Sequence, residues 1–266
     1  MTNLLWDFQE NGYLIVKDFI SKNCISDIRD ESEKLLFEEN SSTLMPTSLL
    51  KSTLLSNIIF SSSFIQILNK LSVKYFHFLP NFTIRKDLYV GWHSDDAFVD
   101  ADTAELPGVL QCNIYLQDNC PNHGGGIDIA PGTHRFTQQK KELLVKAESF
   151  EYTTTPLSAG DLLIFDYRVL HRSTMPLIKP RPGSRLALQW TVCKSHEHAE
   201  KFISYFIRRQ QEKLHLSDFT NNRALAYLND LQNVHFPYTF LDSTQNNIIR
   251  TGVKIYEIKI TNEELP

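Results

Sequence analysis

Features that the sequence lacks exclude several classes of protein. The longest apolar runs fall far short of the about 20 residues that cross a bilayer, so we expect no membrane partner. The first residues show no basic region followed by an apolar core, so no export signal is expected. The formal net charge is only -4, and no basic stripe interleaves with aromatic residues, which argues against nucleic acid as a partner.

Cysteine is also scarce. The 4 cysteines, Cys24, Cys112, Cys120 and Cys193, are widely scattered and form no Cys-x-x-Cys pair. Free thiols in a reducing, cytoplasmic environment are the simplest interpretation, although Cys112 and Cys120 could meet across a hairpin. We therefore expect a cytoplasmic protein whose fold does not depend on disulfides.

The chain contains enough apolar and aromatic residues for one large, mainly β domain. It has 266 residues, of which 42% are hydrophobic and 22% charged, and the 17 Phe and 10 Tyr favour strands over an all-helical bundle. The sequence predicts a single domain made of an N-terminal strand and helices (1–74), a β core (75–192) and a helical extension with a final strand (193–266).

Helical periodicity is clearest at the two ends. A strand is expected over 11–20, followed by an amphipathic helix that begins behind the N-cap Ser21 and ends near Glu39. One or two helices are expected over 49–71, interrupted at 61–63. Helices are also expected over 197–214 and 224–231, before an edge strand over 253–258. The first of these C-terminal helices could pack on the β core or form a subunit contact, so the chain could be a monomer or a homodimer.

Between these ends the pattern changes to short extended runs punctuated by Gly, Pro and Asn, which is typical of a β-sandwich or barrel. The predicted strands of this region are 81–84, 89–93, 109–116, 126–129, 150–154, 161–167 and 185–192.

The segment 91–98 contains the first chemical signal. Side chains two apart on an extended chain point to the same side, so His93 and Asp95 should project together, whereas Asp96, the rival ligand, should point to the opposite face. A histidine and a carboxylate are two-thirds of the facial triad of non-heme iron(II) oxygenases. The third ligand candidate is His171, at the far end of an apolar strand that a Gly-Asp turn begins at 160–161.

Arg185 stands at the start of the last apolar strand of the core, where an arginine is costly to bury unless it binds an anion. A glycine-rich turn over 122–126, followed by Pro-Gly-Thr-His-Arg over 131–135, is the remaining distinctive motif of the core.

In this order, the motifs resemble the phytanoyl-CoA dioxygenase-like family of iron(II)/2-oxoglutarate-dependent oxygenases, over about residues 8–192. The resemblance implies a double-stranded β-helix, a jelly roll of the cupin type with helices packed on one sheet. It implies that His93, Asp95 and His171 bind the iron and that Arg185 pairs with the distal carboxylate of 2-oxoglutarate. Ser173 is expected to assist Arg185, and Asn113 to contact the co-substrate or a metal-bound water.

The expected function is that of an Fe(II)- and 2-oxoglutarate-dependent dioxygenase, which uses O2 to hydroxylate an unactivated C–H of a small-molecule substrate, with secondary metabolism as a candidate setting. Relatives that halogenate replace the carboxylate with a small residue, so the carboxylate of Asp95 favours hydrogen abstraction without halogenation.

Alternatives remain open at this level. The same cofactors support desaturation, cyclisation or epimerisation, and the same fold could serve as a non-catalytic cupin-like metal-binding or ligand-binding module, although such a module has no need for Arg185. Trp92 and Phe98 could line the substrate pocket or belong to the core. Cations that could attract an anionic substrate, or could equally be scattered surface charges, are Arg85, Lys86, Arg135, Arg172 and Arg181.

Overall fold

The structure is a computed structural model that describes residues 4–44, 46–49, 52–71, 76–79, 81–95, 108–178 and 183–194, together with short pieces at 197–198, 201, 234–238 and 254–257. The helices are α1 (Leu4–Asn11), α2 (Lys22–Glu38), α3 (Pro46–Leu49), α4 (Thr53–Ile59), α5 (Ser62–Lys70) and α6 (Gln138–Ala147). The strands are β1 (Tyr13–Val16), β2 (Thr43–Leu44), β3 (Phe76–Phe78), β4 (Thr83–Lys86), β5 (Val109–Tyr115), β6 (Ile127–Ile129), β7 (Thr153–Thr154), β8 (Leu162–Asp166), β9 (His171–Ser173), β10 (Leu186–Cys193), β11 (Val234–Tyr238) and β12 (Lys254–Glu257).

The chain divides into two compact units. The first consists of residues 1–44 and 83–189, and the second of residues 45–82 and 190–266. The single domain expected from the sequence stays a prediction.

The first unit is a jelly roll built from two sheets. Its larger sheet has the order β1-β8-β5-β10-β4-β2, and its smaller sheet has the order β7-β6-β9. The strand pairs with a defined register in this unit are antiparallel, for example Gln111 opposite Phe165 and Asn113 opposite Leu163. Apolar residues of both sheets fill the space between them, and this core consists of Tyr115, Ile127, Ile129, Leu157, Leu163, Phe165, Val169 and Ala187. The larger sheet does not close into a barrel, and the mainly β fold expected from the sequence is confirmed.

Helix α2 begins behind Ser21, as the sequence predicts, and its buried residues include Ile25 and Ile28. On the same helix, Arg29 donates hydrogen bonds to the carbonyl oxygens of Leu116 (3.0 Å) and Ser184 (2.9 Å). These bonds fix the helix to the chain beyond β5 and before β10. The apolar side of α2 is buried because its hydrophobic residues recur at helical spacing and so lie on one face of the helix.

The second unit has an aromatic core. Phe60, at the C-terminal end of α4, lies edge-on to Phe78 with ring centroids 4.8 Å apart, and Phe64 on α5 lies edge-on to Trp190 at 5.1 Å. Ser61 caps α5 by accepting a hydrogen bond from the Phe64 amide, so the predicted interruption at 61–63 is the start of a new helix. No described helix is long and apolar enough to span a membrane.

Two local features differ from the sequence-based expectations. Residues 4–11 form α1, and the first strand begins only at Tyr13, after the turn at Gly12, where φ is +78°. Helix α6 was not predicted, and its only buried side chain is Lys141, so it has no apolar stripe to reveal it. The four cysteines are free, as the sequence predicts, and the alternative contact of Cys112 with Cys120 is not a disulfide.

The turn that begins β8 is held by a buried carboxylate. Asp161 accepts hydrogen bonds from the backbone amides of Ser158 (2.8 Å) and Asp18 (2.9 Å) and pairs with the ammonium of Lys17 at 2.8 Å. Burial alone would raise the pKa of Asp161, but these bonds and the charge of Lys17 outweigh it and hold the pKa below its usual value. The carboxylate therefore links the chain after β1 to the turn before β8.

We expect Asp161→Asn to lower the free energy of unfolding at pH 7 by about 1–3 kcal/mol, because an amide cannot accept all three bonds. Since the folded-state pKa is lowered, the contribution is present above about pH 4 and is lost as the pH falls through the folded-state value. Urea unfolding should therefore show the wild type and variant converging in acid. Asp27→Asn on the exposed face of α2 is the control, expected within about 0.5 kcal/mol of the wild type. A constant difference between wild type and Asp161→Asn down to acidic pH would contradict the ionic role.

Candidate metal centre

Two segments that are far apart in the sequence meet at His93 and His171. The His93 amide donates to the carbonyl of His171 at 3.0 Å, and the His171 amide donates back to the carbonyl of His93 at 2.9 Å. The Asp95 amide donates to the carbonyl of Tyr167 at 2.9 Å. Backbone hydrogen bonds therefore hold the two segments side by side, independently of contacts between their side chains.

The strand predicted over 89–93 does not form, and of these residues only His93 makes a bridge, opposite His171. The Ser173 amide donates to the carbonyl of Val90 at 2.9 Å. Between this bond and the His93–His171 pair, one residue of β9 (172) lies opposite two residues of the other segment (91 and 92). An extra residue of this kind is a β-bulge, which re-aims the neighbouring side chains and is common beside active sites. The bulge contains Gly91, and His93 is the residue that pairs with β9.

The side chains of His93, Asp95 and His171 converge on one point. The Nε2 atom of His93 lies 3.8 Å from one carboxylate oxygen of Asp95, and Nε2 of His171 lies 3.6 Å from the other. One donor atom from each residue lies within 4.8 Å of the other two. His171 is buried, whereas the side chains of His93 and Asp95 are 35% and 37% exposed, so solvent reaches the group at His93 and Asp95.

The second nitrogen of each imidazole is engaged by the backbone. Nδ1 of His93 lies 2.7 Å from the carbonyl oxygen of Gly91, and Nδ1 of His171 lies 3.0 Å from that of Val169. A carbonyl can only accept, so in the neutral ring Nδ1 carries the proton and Nε2 presents its lone pair. Partners of this kind fix the tautomer and orientation of metal-binding histidines.

Electrostatics keep His171 neutral. Burial is the largest cause that lowers its pKa to about 4, the charges of His93 and Arg85 act in the same direction, and the carboxylate of Asp95 opposes them. Because neutral imidazole is the form that binds a metal, His171 is in the binding form at neutral pH without having to lose a proton.

The donor set fits a divalent transition metal. Two neutral imidazole nitrogens and one carboxylate on adjacent sides of a common point are the ligands of the facial triad, which leaves open positions for other molecules. Phe165, whose ring centroid lies 4.6 Å from that of His171, bounds the group on its buried side.

Arg185, immediately before β10, is a nearly buried cation bonded to the segment that precedes His93. It is 4% exposed, and its guanidinium donates to the carbonyls of Leu88 (2.8 Å) and Gly126 (3.0 Å), while Nε has no hydrogen-bond partner. Within the part of the chain that the structure describes, no carboxylate forms an ion pair with it. A buried charge with only neutral partners is costly, so the site favours an anion.

Ser173 and Asn113, the two assisting residues expected from the sequence, both lie near Arg185. The Ser173 hydroxyl accepts from the Val90 amide at 3.0 Å and lies 3.5 Å from the Leu88 carbonyl that Arg185 also binds. Asn113 is buried and donates to the hydroxyl of Tyr115 at 3.3 Å.

Sequence reasoning missed the aromatic residues around Arg185. The rings of Tyr89 and Tyr115 lie 5.3 Å and 5.2 Å from its guanidinium carbon. Burial raises the pKa of Tyr115, and the positive charge of Arg185 opposes that rise. The alternation of Gln111, Asn113 and Tyr115 along β5 could have revealed this face, because side chains two apart share one side of a strand.

The remaining sequence candidates lie elsewhere. Trp92 packs against Phe150 and Tyr152, with ring centroids 4.8 Å and 5.2 Å apart, and so belongs to an aromatic cluster. His134, the histidine of the Pro-Gly-Thr-His-Arg motif, has its Nε2 atom 3.0 Å from the carbonyl oxygen of Gln9, in keeping with a structural role. Asp96, Phe98 and the helices expected over 197–214 and 224–231 fall outside the described residues, apart from single positions.

Comparison with solved structures shows the same fold in known oxygenases, at identities that inform on fold alone. The non-heme alpha-ketoglutarate-dependent carbocyclase SnoK from nogalamycin biosynthesis is 14% identical, with a TM-score of 0.59 over 73% of this chain and 84% of its own. The epimerase SnoN, in complex with Fe3+, alpha-ketoglutarate and nogalamycin RO, is 16% identical, with a TM-score of 0.56 over 72% and 82%. EctD from S. alaskensis, with 2-oxoglutarate and 5-hydroxyectoine, is 15% identical, with a TM-score of 0.57 over 73% and 76%.

A comparison with curated proteins found no match. The family model of phytanoyl-CoA dioxygenase matches residues 44–175, about half of the chain, and this region contains His93, Asp95 and His171. The match agrees with the jelly-roll fold, and the chain belongs to the phytanoyl-CoA dioxygenase-like family of iron(II)/2-oxoglutarate-dependent oxygenases.

Proposed function

We propose that this protein is an iron(II)- and 2-oxoglutarate-dependent dioxygenase that hydroxylates an unactivated C–H of a small-molecule substrate in the cytoplasm. The observation that carries the proposal is the convergence of two imidazoles and one carboxylate, in a unit that also contains a buried arginine with no carboxylate partner among the described residues.

His93, Asp95 and His171 would hold the ferrous ion through Nε2, a carboxylate oxygen and Nε2. When bound, Fe(II) with 2-oxoglutarate and O2 supplies the oxidising power that removes hydrogen from a C–H while 2-oxoglutarate becomes succinate and carbon dioxide. The protein contributes position and electrostatics. The carbonyls of Gly91 and Val169 orient the two imidazoles, and the exposed side of His93 and Asp95 admits the substrate.

Arg185 would pair with the distal carboxylate of 2-oxoglutarate. Its guanidinium is held by two backbone carbonyls and lies beside two tyrosine rings, so its orientation does not depend on the ligand. Ser173, bonded to the same backbone segment, would supply a hydroxyl at that carboxylate. Asn113, fixed between Gln111 and Tyr115, would contact the co-substrate or a metal-bound water.

A second candidate outcome uses the same cofactors for desaturation, cyclisation or epimerisation; a solved carbocyclase and a solved epimerase share the fold. Incorporation of 18O from labelled O2 into the product separates hydroxylation from these outcomes. A non-catalytic cupin-like module is disfavoured because it gives no reason for the buried charge of Arg185.

The ligand assignment predicts a selective loss of metal binding. His171→Ala removes a buried imidazole that is already neutral and ready to bind metal. The affinity for Fe(II), measured anaerobically by calorimetry, should fall by more than about 100-fold, since losing even a residue that only hydrogen-bonds a metal ligand costs about 10–100-fold. His123→Ala in the glycine-rich turn is the matched control and should bind as the wild type does. Equal Fe(II) affinity in wild type and His171→Ala would remove the metal assignment.

The arginine assignment predicts a loss of co-substrate binding with the metal retained. Removing one partner of a buried ion pair costs about 2–5 kcal/mol, so Arg185→Met should raise the Kd for 2-oxoglutarate by at least about 30-fold and abolish succinate release. Mn(II) affinity should be preserved, which separates this effect from unfolding. Arg135→Met, which removes an exposed arginine paired with Glu10, should change neither quantity. Normal succinate release by Arg185→Met would contradict the proposal.

A further inference from the structure

The cations that could attract an anionic substrate are not equivalent in the structure. Three of them have carboxylate partners, namely Lys86 with Glu33, Arg135 with Glu10 at 3.2 Å and Arg172 with Asp128 at 2.8 Å, and Arg181 lies outside the described residues. Arg85 remains, and in the described part of the chain its guanidinium has neither a hydrogen bond nor an ion pair.

Strand register places Arg85 on the inner face of the jelly roll. In the antiparallel pair of β4 and β10, Arg85 lies opposite Ala187, and residues opposite each other point to the same side. Ala187 belongs to the core with Tyr115 and Phe165, so Arg85 shares their face. Arg185 is on that face too, because it lies two residues from Ala187, and the two arginines are diagonal neighbours at roughly 7–8 Å between Cα atoms.

Electrostatic effects agree with this placement. Burial raises the pKa of Tyr115, and the positive charges of both Arg185 and Arg85 oppose the rise. The charge of Arg85 also reaches His171. The charge of Arg85 therefore acts electrostatically on a metal-ligand candidate, His171, and on Tyr115 beside Arg185.

Arg85 differs from Arg185 in its exposure and in its support. Arg185 is nearly buried and is held by two carbonyls, whereas Arg85 is partly exposed and no residue that the structure describes bonds its guanidinium. A fixed arginine suits a ligand of constant shape such as a co-substrate. A free, partly exposed arginine at the same face suits a second anion that arrives from solvent.

We propose that Arg85 is the anchor for an anionic group, a carboxylate or a phosphate, of the organic substrate. The proposal deepens and rests on the proposed function, since it assigns the substrate class of the same site. With Arg185 binding the co-substrate, the guanidinium of Arg85 holds the anionic end of the substrate and so directs the remainder of that molecule toward His93, Asp95 and His171. Uncharged molecules of similar shape bind more weakly.

Binding should be measured on protein loaded with Zn(II), which does no redox chemistry, and saturated with 2-oxoglutarate so that Arg185 is occupied. The calorimetric probes are 3-phenylpropanoate and its uncharged amide, 3-phenylpropanamide. We expect the acid to bind wild type at least about tenfold more tightly than the amide, a difference of about 1.4 kcal/mol. Arg85→Met should remove this preference and leave the Kd for 2-oxoglutarate within about twofold of wild type, because the co-substrate has its own arginine.

Lys86→Met is the matched control, since Lys86 is the next residue of β4, faces the other side and also carries one positive charge. It should keep the preference for the acid. Inorganic phosphate is small enough to bind whatever the shape of the pocket. It should protect Arg85 of the Zn(II)- and 2-oxoglutarate-loaded protein from modification by phenylglyoxal, measured by peptide mass spectrometry.

Three results overturn the proposal. They are equal binding of acid and amide by wild type, retention of the preference by Arg85→Met, and failure of phosphate to protect Arg85. If Arg85→Met instead raises the Kd for 2-oxoglutarate as Arg185→Met does, the anion is the co-substrate, and the substrate anchor is disproved while the proposed function stands. If wild type does not bind 2-oxoglutarate at all, the proposed function itself fails.

Discussion

The candidate site depends on one pair of reciprocal backbone hydrogen bonds, which joins His93 to His171 across 78 positions of the sequence. Each histidine is fixed twice, once through its backbone and once through Nδ1 to a neighbouring carbonyl. The Asp95 amide is bonded to Tyr167, four residues before His171. The backbone thus fixes the positions of the metal-binding side chains, so their arrangement does not depend on a bound metal.

Uncompensated positive charge is the second constraint. Arg168 pairs with Asp166 at 2.7 Å and Arg172 with Asp128 at 2.8 Å, whereas Arg29 is bonded to the neutral oxygens of Leu116, Gln117 and Ser184. Arg185 and Arg85, which share the inner face of β10 and β4, are without such partners in the described residues. An unpaired cation is destabilising when buried, as Arg185 is, whereas Arg85 is partly exposed. We propose that both arginines bind anionic ligands.

Much of this arrangement could be predicted from the sequence. Alternation along an extended segment placed His93 and Asp95 on one side, and the apolar periodicity around Ile25 and Ile28 predicted α2 with its start behind Ser21. The mainly β core followed from short apolar runs between turn residues. These signals are local, and a single sequence contains them in full.

What could not be predicted depends on contacts between distant segments. The bulge at Gly91 is visible only when β9 lies beside residues 90–93, and α6 has no apolar stripe because its only buried side chain is Lys141. The five cations that looked alike in the sequence became distinct only when Glu33, Glu10 and Asp128 were found beside three of them. Partner identity is a property of the fold, so the special position of Arg85 needed the structure.

An anaerobic crystal structure of the protein with Fe(II) and 2-oxoglutarate tests the central claim most directly. We expect Nε2 of His93, a carboxylate oxygen of Asp95 and Nε2 of His171 at about 2 Å from one metal ion, with the distal carboxylate of 2-oxoglutarate on the guanidinium of Arg185. Iron bound elsewhere, or a co-substrate that does not touch Arg185, would contradict it.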